Sequence, residues 1–377
     1  MRFYGLRLNH AYRLLPESKK GGKIIMRFSQ LFGSTIWLAL FFFGFTSLVR
    51  AELPTVAVIT TGGTIAEKID PATGGAVPAL TGKTLLETIP ELAKVAKIKV
   101  IQYSNIDSSQ MTPEMWAGLS KTVDEVIAAP SIKGAVVTHG TDTMAEGSYF
   151  LDLTLKTDKP VVFVGAMRDV SEVSPDGPAN IRDAIIQVCS DNSRDWGVTV
   201  TLNQYINSAR DVRKTNSTNV QTFNSGEKGY LGYIAMGRVY RFHDRHDRQR
   251  FPLPDRLPKV LLLTTFAGDD GRLLGNAVEQ GAEGIVIEGV GAGNVNAQVY
   301  GAVEYALKKG VAVVIATRVY HGGVFPIYGD QGGGKTLQRA GAVLGGDLTG
   351  PKARILLMLA LPYVKGDRAR LKDFFKH

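Results

Sequence analysis

The sequence predicts an α/β protein of two domains: a larger N-terminal one on a doubly wound, mostly parallel sheet, and a smaller C-terminal α/β one. Three observations predict it. From Pro54 onward, short β-branched runs alternate with longer amphipathic stretches, the order that βα units produce. Those short runs carry few polar interruptions, as strands covered on both faces require. A charged, proline-containing stretch, "RFHDRHDRQRFPLPDRLPK" (241–259), then separates two such series, as a linker or exposed crossover does. The boundaries that follow are a leader at 1–51, a first domain at 52–245, a linker at 246–258 and a second domain at 259–377.

The leader reads as an export signal. "GSTIWLALFFFGFTSLV" (33–49) is an uncharged apolar run preceded by Arg27 and followed by Arg50 and Ala51. A basic segment, an apolar segment and small residues at the end are what a secretory signal needs. The reading predicts cleavage after Ala51 and a periplasmic protein, with an N-terminal membrane anchor as the rival because the run approaches spanning length. Residues 1–51 hold eight Lys or Arg and one Glu, a net +7 of the chain's +9, which leaves +2 for the rest. The basic balance therefore belongs to the leader, and a nucleic-acid partner loses its main support. Cys189 is the single cysteine and allows no intrachain disulfide. Its helix-spaced setting in "IRDAIIQVCSD" predicts a buried core thiol, not a nucleophile.

In the first series, "PTVAVITT", "GAVVTHG" and "KPVVFVGAM" read as strands. "TPEMWAGLSKTVDEVIAA" (112–129) reads as a helix: Thr112 can cap it, Pro113 suits its first turn, and Trp116, Leu119, Val123 and Ile127 share one face. "TDTMAEGSYFLDLTL" and "PANIRDAIIQVC" read as helices too. In the second series, "KVLLLTTF", "GIVIEGVGAGN" and "VAVVIATRV" are strand-like, while "NAQVYGAVEYALKKG" and "KARILLMLALPYV" are helix-like. Ligands of open α/β sheets sit beyond the carboxyl ends of strands. "TTGGT", "HGTDT" and "FAGDDG" all fall there.

Two of these strand ends carry threonines beside glycines. Thr64 follows Gly62-Gly63, and Thr141 and Asp142 follow His139-Gly140. Glycines admit a ligand close to the backbone and leave amide N–H groups free for a negative oxygen. A threonine hydroxyl needs a base before it can act as a nucleophile. Asp142 is adjacent, and Lys214 in "DVRKTNST" offers an amine that burial or cationic neighbours can turn into a base. Hydroxyl, amine and carboxylate form an amide-hydrolysis set if the fold unites them; strand-end turns and a solvated lysine are the plain alternative.

"TGGTIA" (61–66) and "HGTDTM" (139–144), with "GAMR" (165–168), "DGP" (176–178) and "RDVRKTNST" (210–218), resemble the bacterial type II L-asparaginase and glutaminase-asparaginase family, in its order, over residues 53–377. The resemblance implies hydrolysis of L-asparagine to L-aspartate and ammonia, with some glutaminase activity. It implies no cofactor, and a homotetramer whose active sites each lie between two subunits. Residue by residue, it gives Thr64 as the nucleophile that forms a β-aspartyl ester, and Thr141, Asp142 and Lys214 as the second threonine, aspartate and lysine. Asp142 would grip the substrate α-amino group and Lys214 would support proton transfer at Thr141. Ser108 would bind the α-carboxylate, and the Ala166 carbonyl would lie near the side-chain amide.

Three features depart from that pattern. The family's mobile loop after the first motif carries a tyrosine paired with the nucleophile, but "EKIDPATGGAVPALTGK" (67–83) has none. Ser109 stands where the family has Gln or Glu beside the binding serine. The neighbouring subunit's asparagine and glutamate have no clean match, with Asp269, Asp270 and Asp330 as candidates. The missing tyrosine motivates a second reading, a periplasmic amino-acid-binding protein with little turnover; a glutaminase or peptidyl-amide preference is a third.

Weaker signals complete the reading. "GDQGGGKT" (329–336) has P-loop spacing, but the segment before it, with Pro326 and several glycines, is a poor buried strand. "GVGAGN" (289–294) lacks dinucleotide-turn spacing. His243 and His246 have no nearby Cys or further His, so no metal is expected. His139 reads as structural.

Overall fold

The computed structural model describes residues 52–78, 80–245 and 248–376. The leader expectation and His246 lie outside the described residues. Among the described residues, twelve strands belong to the first part of the chain: β1 (Thr55–Thr60), β2 (Glu67–Ile69), β3 (Ala76–Pro78), β4 (Lys97–Gln102), β5 (Ile132–Thr138), β6 (Val161–Val164), β7 (Val198–Leu202), β8 (Tyr205–Ser208), β9 (Arg213–Lys214), β10 (Phe223–Asn224), β11 (Gly232–Ala235) and β12 (Arg238–Arg241). Eight of them form one sheet in the order β12-β11-β8-β7-β6-β5-β1-β4. From β4 to β7 the pairing is parallel; β8, β11 and β12 extend it antiparallel. The doubly wound, mostly parallel sheet expected from the sequence is therefore present.

Alternate residues of one strand feed opposite faces, because successive side chains of a strand point to opposite sides. Ala57 and Ile59 pack with helices α2 (Pro113–Ile127) and α3 (Met144–Thr154), which follow α1 (Gly82–Glu87). Val56 and Val58 pack on the other face, with Leu85 of α1 and with Ile181 and Ile185 of α4 (Gly177–Cys189). Thr112 caps α2 as expected, its hydroxyl accepting from the Met115 amide, and Trp116, Leu119, Val123 and Ile127 are buried. Cys189, expected in the core, is instead half-buried at the end of α4, although burial still pushes its thiol up to about 11.

The second part carries β13 (Val260–Thr264), β14 (Gly284–Gly289), β15 (Ala312–Thr317) and β16 (Val343–Leu344), all parallel and in that order. Helices α5 (Arg272–Glu279), α6 (Ala297–Lys308) and α7 (Gly334–Ala340) cover one face. The other face meets α8 (Gly350–Tyr363), which also packs on α3, so a single apolar core runs through both parts. The P-loop-like segment follows no strand directly, and its Thr336 hydroxyl donates to the Asp330 and Gly333 carbonyls beside α7.

The 241–259 stretch differs from the expected exposed crossover. Arg245 forks onto buried Asp152, with both nitrogen–oxygen distances at 2.8 Å. Arg248 donates to the Asp152, Leu155 and Thr157 carbonyls at 2.7 to 3.1 Å. The last carbonyls of a helix have no partner within it, and here a guanidinium supplies the donors for the end of α3. Phe251 is buried just beyond. Arg245 and Arg248 are thus structural ties, while Asp244, Asp255 and Arg256 of the same stretch stay exposed.

Candidate active site

β1, β4, β5 and β6 are parallel neighbours, so their carboxyl ends share one edge. The chain runs from β1 outward to β4 and then back past β1 to β5. The connections after β1 and β5 therefore lead to opposite sides, which opens a crevice at the reversal of strand order, beyond the first turns. Thr64 follows β1, Ser108 follows β4, Thr141 follows β5 and Ala166 follows β6.

Glycines let these loops meet backbone to backbone. Gly63 has φ of +83°, and a Cβ there would lie 2.3 Å from the Gly140 Cα. Gly62 has φ of +109°, and a Cβ there would lie 2.4 Å from both the nitrogen and the oxygen of Ile106. The turns that present the two threonines are thus in contact one residue before each threonine. Ser108 joins the same junction: it is buried, its oxygen would be 2.6 Å from a Cβ on Gly140, and its carbonyl accepts from the Thr143 hydroxyl at 2.8 Å. Ser109 is exposed, its amide tied to the Asp107 carboxylate at 2.7 Å.

Thr141, Asp142 and Lys214 come together. Lys214 Nζ donates to Thr141 Oγ1 at 2.9 Å and pairs with Asp142 Oδ1 at 2.6 Å. Thr141 is buried, Lys214 is half-buried, and the Asp142 side chain is 58% exposed, so the carboxylate faces the open side of the crevice. An ammonium donating to a hydroxyl oxygen favours negative charge on that oxygen, and a neutral amine in the same place could accept its proton. Behind this group, His139 is fully buried and bonds the Gly140 carbonyl through Nδ1 at 2.7 Å. Burial pushes its pKa down to about 4. A neutral ring bonded to its own turn is structural, as expected.

Ala166 is buried on the turn after β6. That turn is fixed by Asp176 of the "DGP" motif, whose carboxylate accepts from the Met167 and Arg168 amides at 2.9 to 3.1 Å. Asn180 adds a bond to the Gly165 carbonyl at 3.0 Å.

Lys214 lies on β9, which pairs with β10, and the approach to it is anchored from the second part of the chain. Lys352 of α8 donates to the Ala209, Arg210 and Val212 carbonyls at 2.6 to 2.7 Å. Arg210 pairs with Asp347 at 2.6 Å. Sequence reasoning missed Lys352; the available signal was a lysine near the start of a mostly apolar helix, which demands internal partners when that helix is buried. It also missed Glu67. The stretch after Thr64, expected as a mobile loop, begins with a hairpin of β2 and β3, with Glu67 paired to Pro78. Glu67 is 5% exposed, and its amide donates to the Thr64 carbonyl.

Asp269 and Asp270 accept from the amides of Gly271 and Arg272, and Asp330 is exposed in the loop before α7. Among the described residues, no hydrogen bond or ion pair links them to Thr64, Thr141, Asp142 or Lys214. Among the described residues, no group of three or more His, Cys, Asp or Glu side chains is placed to hold a metal ion.

Fold and site together define a two-domain α/β protein of the enzyme type, with a hydroxyl–amine–carboxylate cluster at the topological switch of a parallel sheet. Residues 55–247 match the family model "Asparaginase, N-terminal" and residues 259–375 match "Glutaminase/Asparaginase C-terminal domain". The chain is 38% identical to the "Probable L-asparaginase periplasmic" of Haemophilus influenzae over 345 residues, covering 89% of this chain and 97% of that one. It is 37% identical to "L-asparaginase 2" of Escherichia coli over 353 residues, covering 90% and 97%. Among solved structures, the probable cytoplasmic L-asparaginase of Campylobacter jejuni is similar, with a TM-score of 0.78 and 37% identity over 85% of this chain and 99% of that one. The chain belongs to the asparaginase family.

Proposed function

We propose that this protein hydrolyses L-asparagine to L-aspartate and ammonia, with Thr64 attacking the side-chain amide to form a β-aspartyl ester that water then cleaves. The observation that carries this reading is the Lys214 ammonium bridging Thr141 and Asp142 in the turn that Gly63 holds against the Thr64 turn. Asp142, exposed toward the crevice, receives the substrate α-amino group. Ser108 receives the α-carboxylate, the Ala166 carbonyl orients the amide, and Lys214 handles proton transfer at Thr141. Membership of the asparaginase family supports the substrate class.

The test is ammonia release from L-asparagine, D-asparagine and L-glutamine by protein beginning at Glu52. L-Asparagine should be turned over. Aspartate binding without release from any of the three would favour an amino-acid-binding protein on this scaffold. Glutaminase activity is a second reading, favoured by Ser109, whose short, exposed side chain reaches less far toward the substrate α-amino group and so holds an asparagine backbone less strictly. Location in the periplasm is supported by the composition of residues 1–51 and by the name of the Haemophilus relative. N-terminal sequencing of exported protein should find Glu52 first. The assembly is proposed to be a homotetramer with closed symmetry, its sites completed by a neighbouring subunit; light scattering that finds a fully active monomer would overturn it.

A further inference from the structure

The Thr64 hydroxyl needs a proton acceptor, and the chain after it has no tyrosine through Lys83. Thr64–Ala66 is a 3-10 turn, closed by the Glu67 amide donating to the Thr64 carbonyl. With three residues per turn, side chains at i and i+3 lie one over the other. Glu67 closes that turn, so the backbone itself brings it beside Thr64 at the i and i+3 spacing, and the Thr64 hydroxyl favours its charged form. The hairpin then fixes Glu67 opposite Pro78, a residue with no N–H to offer. Among the described residues no Lys or Arg is ion-paired with Glu67; the charges that bear on it are the carboxylates of Asp107, Asp169 and Asp142. Nearly complete burial without a cation is costly for a carboxylate that serves only the fold.

Resting on the reading of Thr64 as nucleophile, we propose that Glu67 is the general base and acid for Thr64, a catalytic residue that supplies what the family's loop tyrosine would otherwise provide. As Thr64 Oγ1 bonds to the amide carbon, its proton passes to the Glu67 carboxylate and the carbonyl electron pair moves onto the oxygen. When that pair returns, the C–N bond breaks, and the Glu67 proton leaves with the nitrogen as ammonia. In the second half, water attacks the ester and gives a proton to Glu67, which returns it to Thr64 as the C–O bond breaks. Atoms and protons balance, and Glu67 ends as it began. Burial first, and the three carboxylates with it, push the Glu67 pKa up, while the nearby Thr64 hydroxyl opposes them. A raised carboxyl is closer to the working pH of a base that must also return its proton.

The experiment compares wild type with Glu67→Gln and Glu67→Asp in the full-length folded protein, measuring kcat and kcat/KM for L-asparagine against pH. Glu67→Gln should lower kcat by about a hundredfold or more, the scale of lost general acid–base catalysis, with KM little changed. It should also abolish the acid limb of the kcat/KM profile. Glu67→Asp should retain that limb, a result a merely structural role would not give. Mass spectrometry of the acyl-enzyme trapped with a slow substrate separates the two layers. An ester on Thr64 with near wild-type kcat in Glu67→Gln overturns the role of Glu67 alone. An ester on Thr141 overturns the reading beneath it. If Glu67→Gln fails to fold, Glu67→Asp decides: loss of the acid limb there, with the ester on Thr64, also overturns the proposal.

Discussion

Thr141 is held by groups distant in sequence, whereas Thr64 is served by a neighbour three residues on. The Thr141 turn receives Lys214 from β9, and the segment leading to β9 is in turn clamped by Lys352 and Asp347 from the second part of the chain. The Thr64 turn receives Glu67 through a 3-10 turn and a short hairpin, with its own backbone as scaffold. The first arrangement makes the site depend on how the two parts dock. The second makes it depend on local backbone geometry. The difference teaches that one threonine can be disturbed from afar and the other only from nearby.

The largest effects should come from removing the hydroxyls and the amine. Thr64→Ala, Thr141→Ala and Lys214→Met should each lower kcat by at least about a hundredfold, the scale on which a lost nucleophile or base shows. Lys214→Met removes both the donor to Thr141 and the counter-charge of Asp142. Steady-state kinetics checks this; Thr64→Ala with nearly full activity, and an ester mapped to Thr141, would reverse the assignments of the two turns.

Gly63→Ala breaks the junction that the turns share. Its Cβ would fall 2.3 Å from Gly140 Cα at a φ of +83°, so the backbones must separate. Displacing reacting groups by about an ångström can cost about a hundredfold in rate, and kcat should fall toward that value. Wild-type kcat would show that the contact is not needed for alignment.

Lys352→Met tests support from a distance. Three carbonyls lose their donor, and buried unpaired acceptors cost about 1 kcal/mol or more each, so denaturant midpoint and kcat should fall together. The pH dependence has a definite sign. Burial pushes the Lys352 ammonium down to about 7 from its usual 10.5. Between those values the unfolded chain holds a proton that the folded chain has released, so this residue makes unfolding free energy rise with pH across that window. Unfolding at pH 7 and pH 9 should show that gain in wild type and a smaller one in Lys352→Met. Equal gains would remove Lys352 from the comparison.

The smallest effect is expected at Ser109, at the rim. Ser109→Gln lengthens the side chain toward the site proposed for the α-amino group, and KM for L-asparagine should fall by about a few-fold with kcat nearly constant, as added uniform binding does. A change confined to kcat would place Ser109 nearer the reacting atoms than its exposure indicates.

Much of this was legible from residue order. Uninterrupted β-branched runs fix parallel strands because such strands are covered on both faces. Gly-Gly and His-Gly before threonines mark turns that only glycine can close, and Thr112-Pro113 marks a helix start. These are local rules, and they place Thr64, Thr141 and Asp142 at strand ends, whereas Ser108 and Ala166 come from the resemblance to the family. Tertiary structure alone decided the rest. Lys214 reaches Thr141 across more than seventy positions, from a strand outside the main sheet. Arg245 and Arg248 became ties for α3 in place of solvated linker charges. Lys352 acquired three carbonyl partners only when α8 was enclosed between the two parts. Glu67 turned from a loop charge into a buried neighbour of Thr64 once the hairpin closed. In each case the sequence specifies the side chain, but its partner, and hence its energy, depends on burial and on distances that exist only in the folded chain.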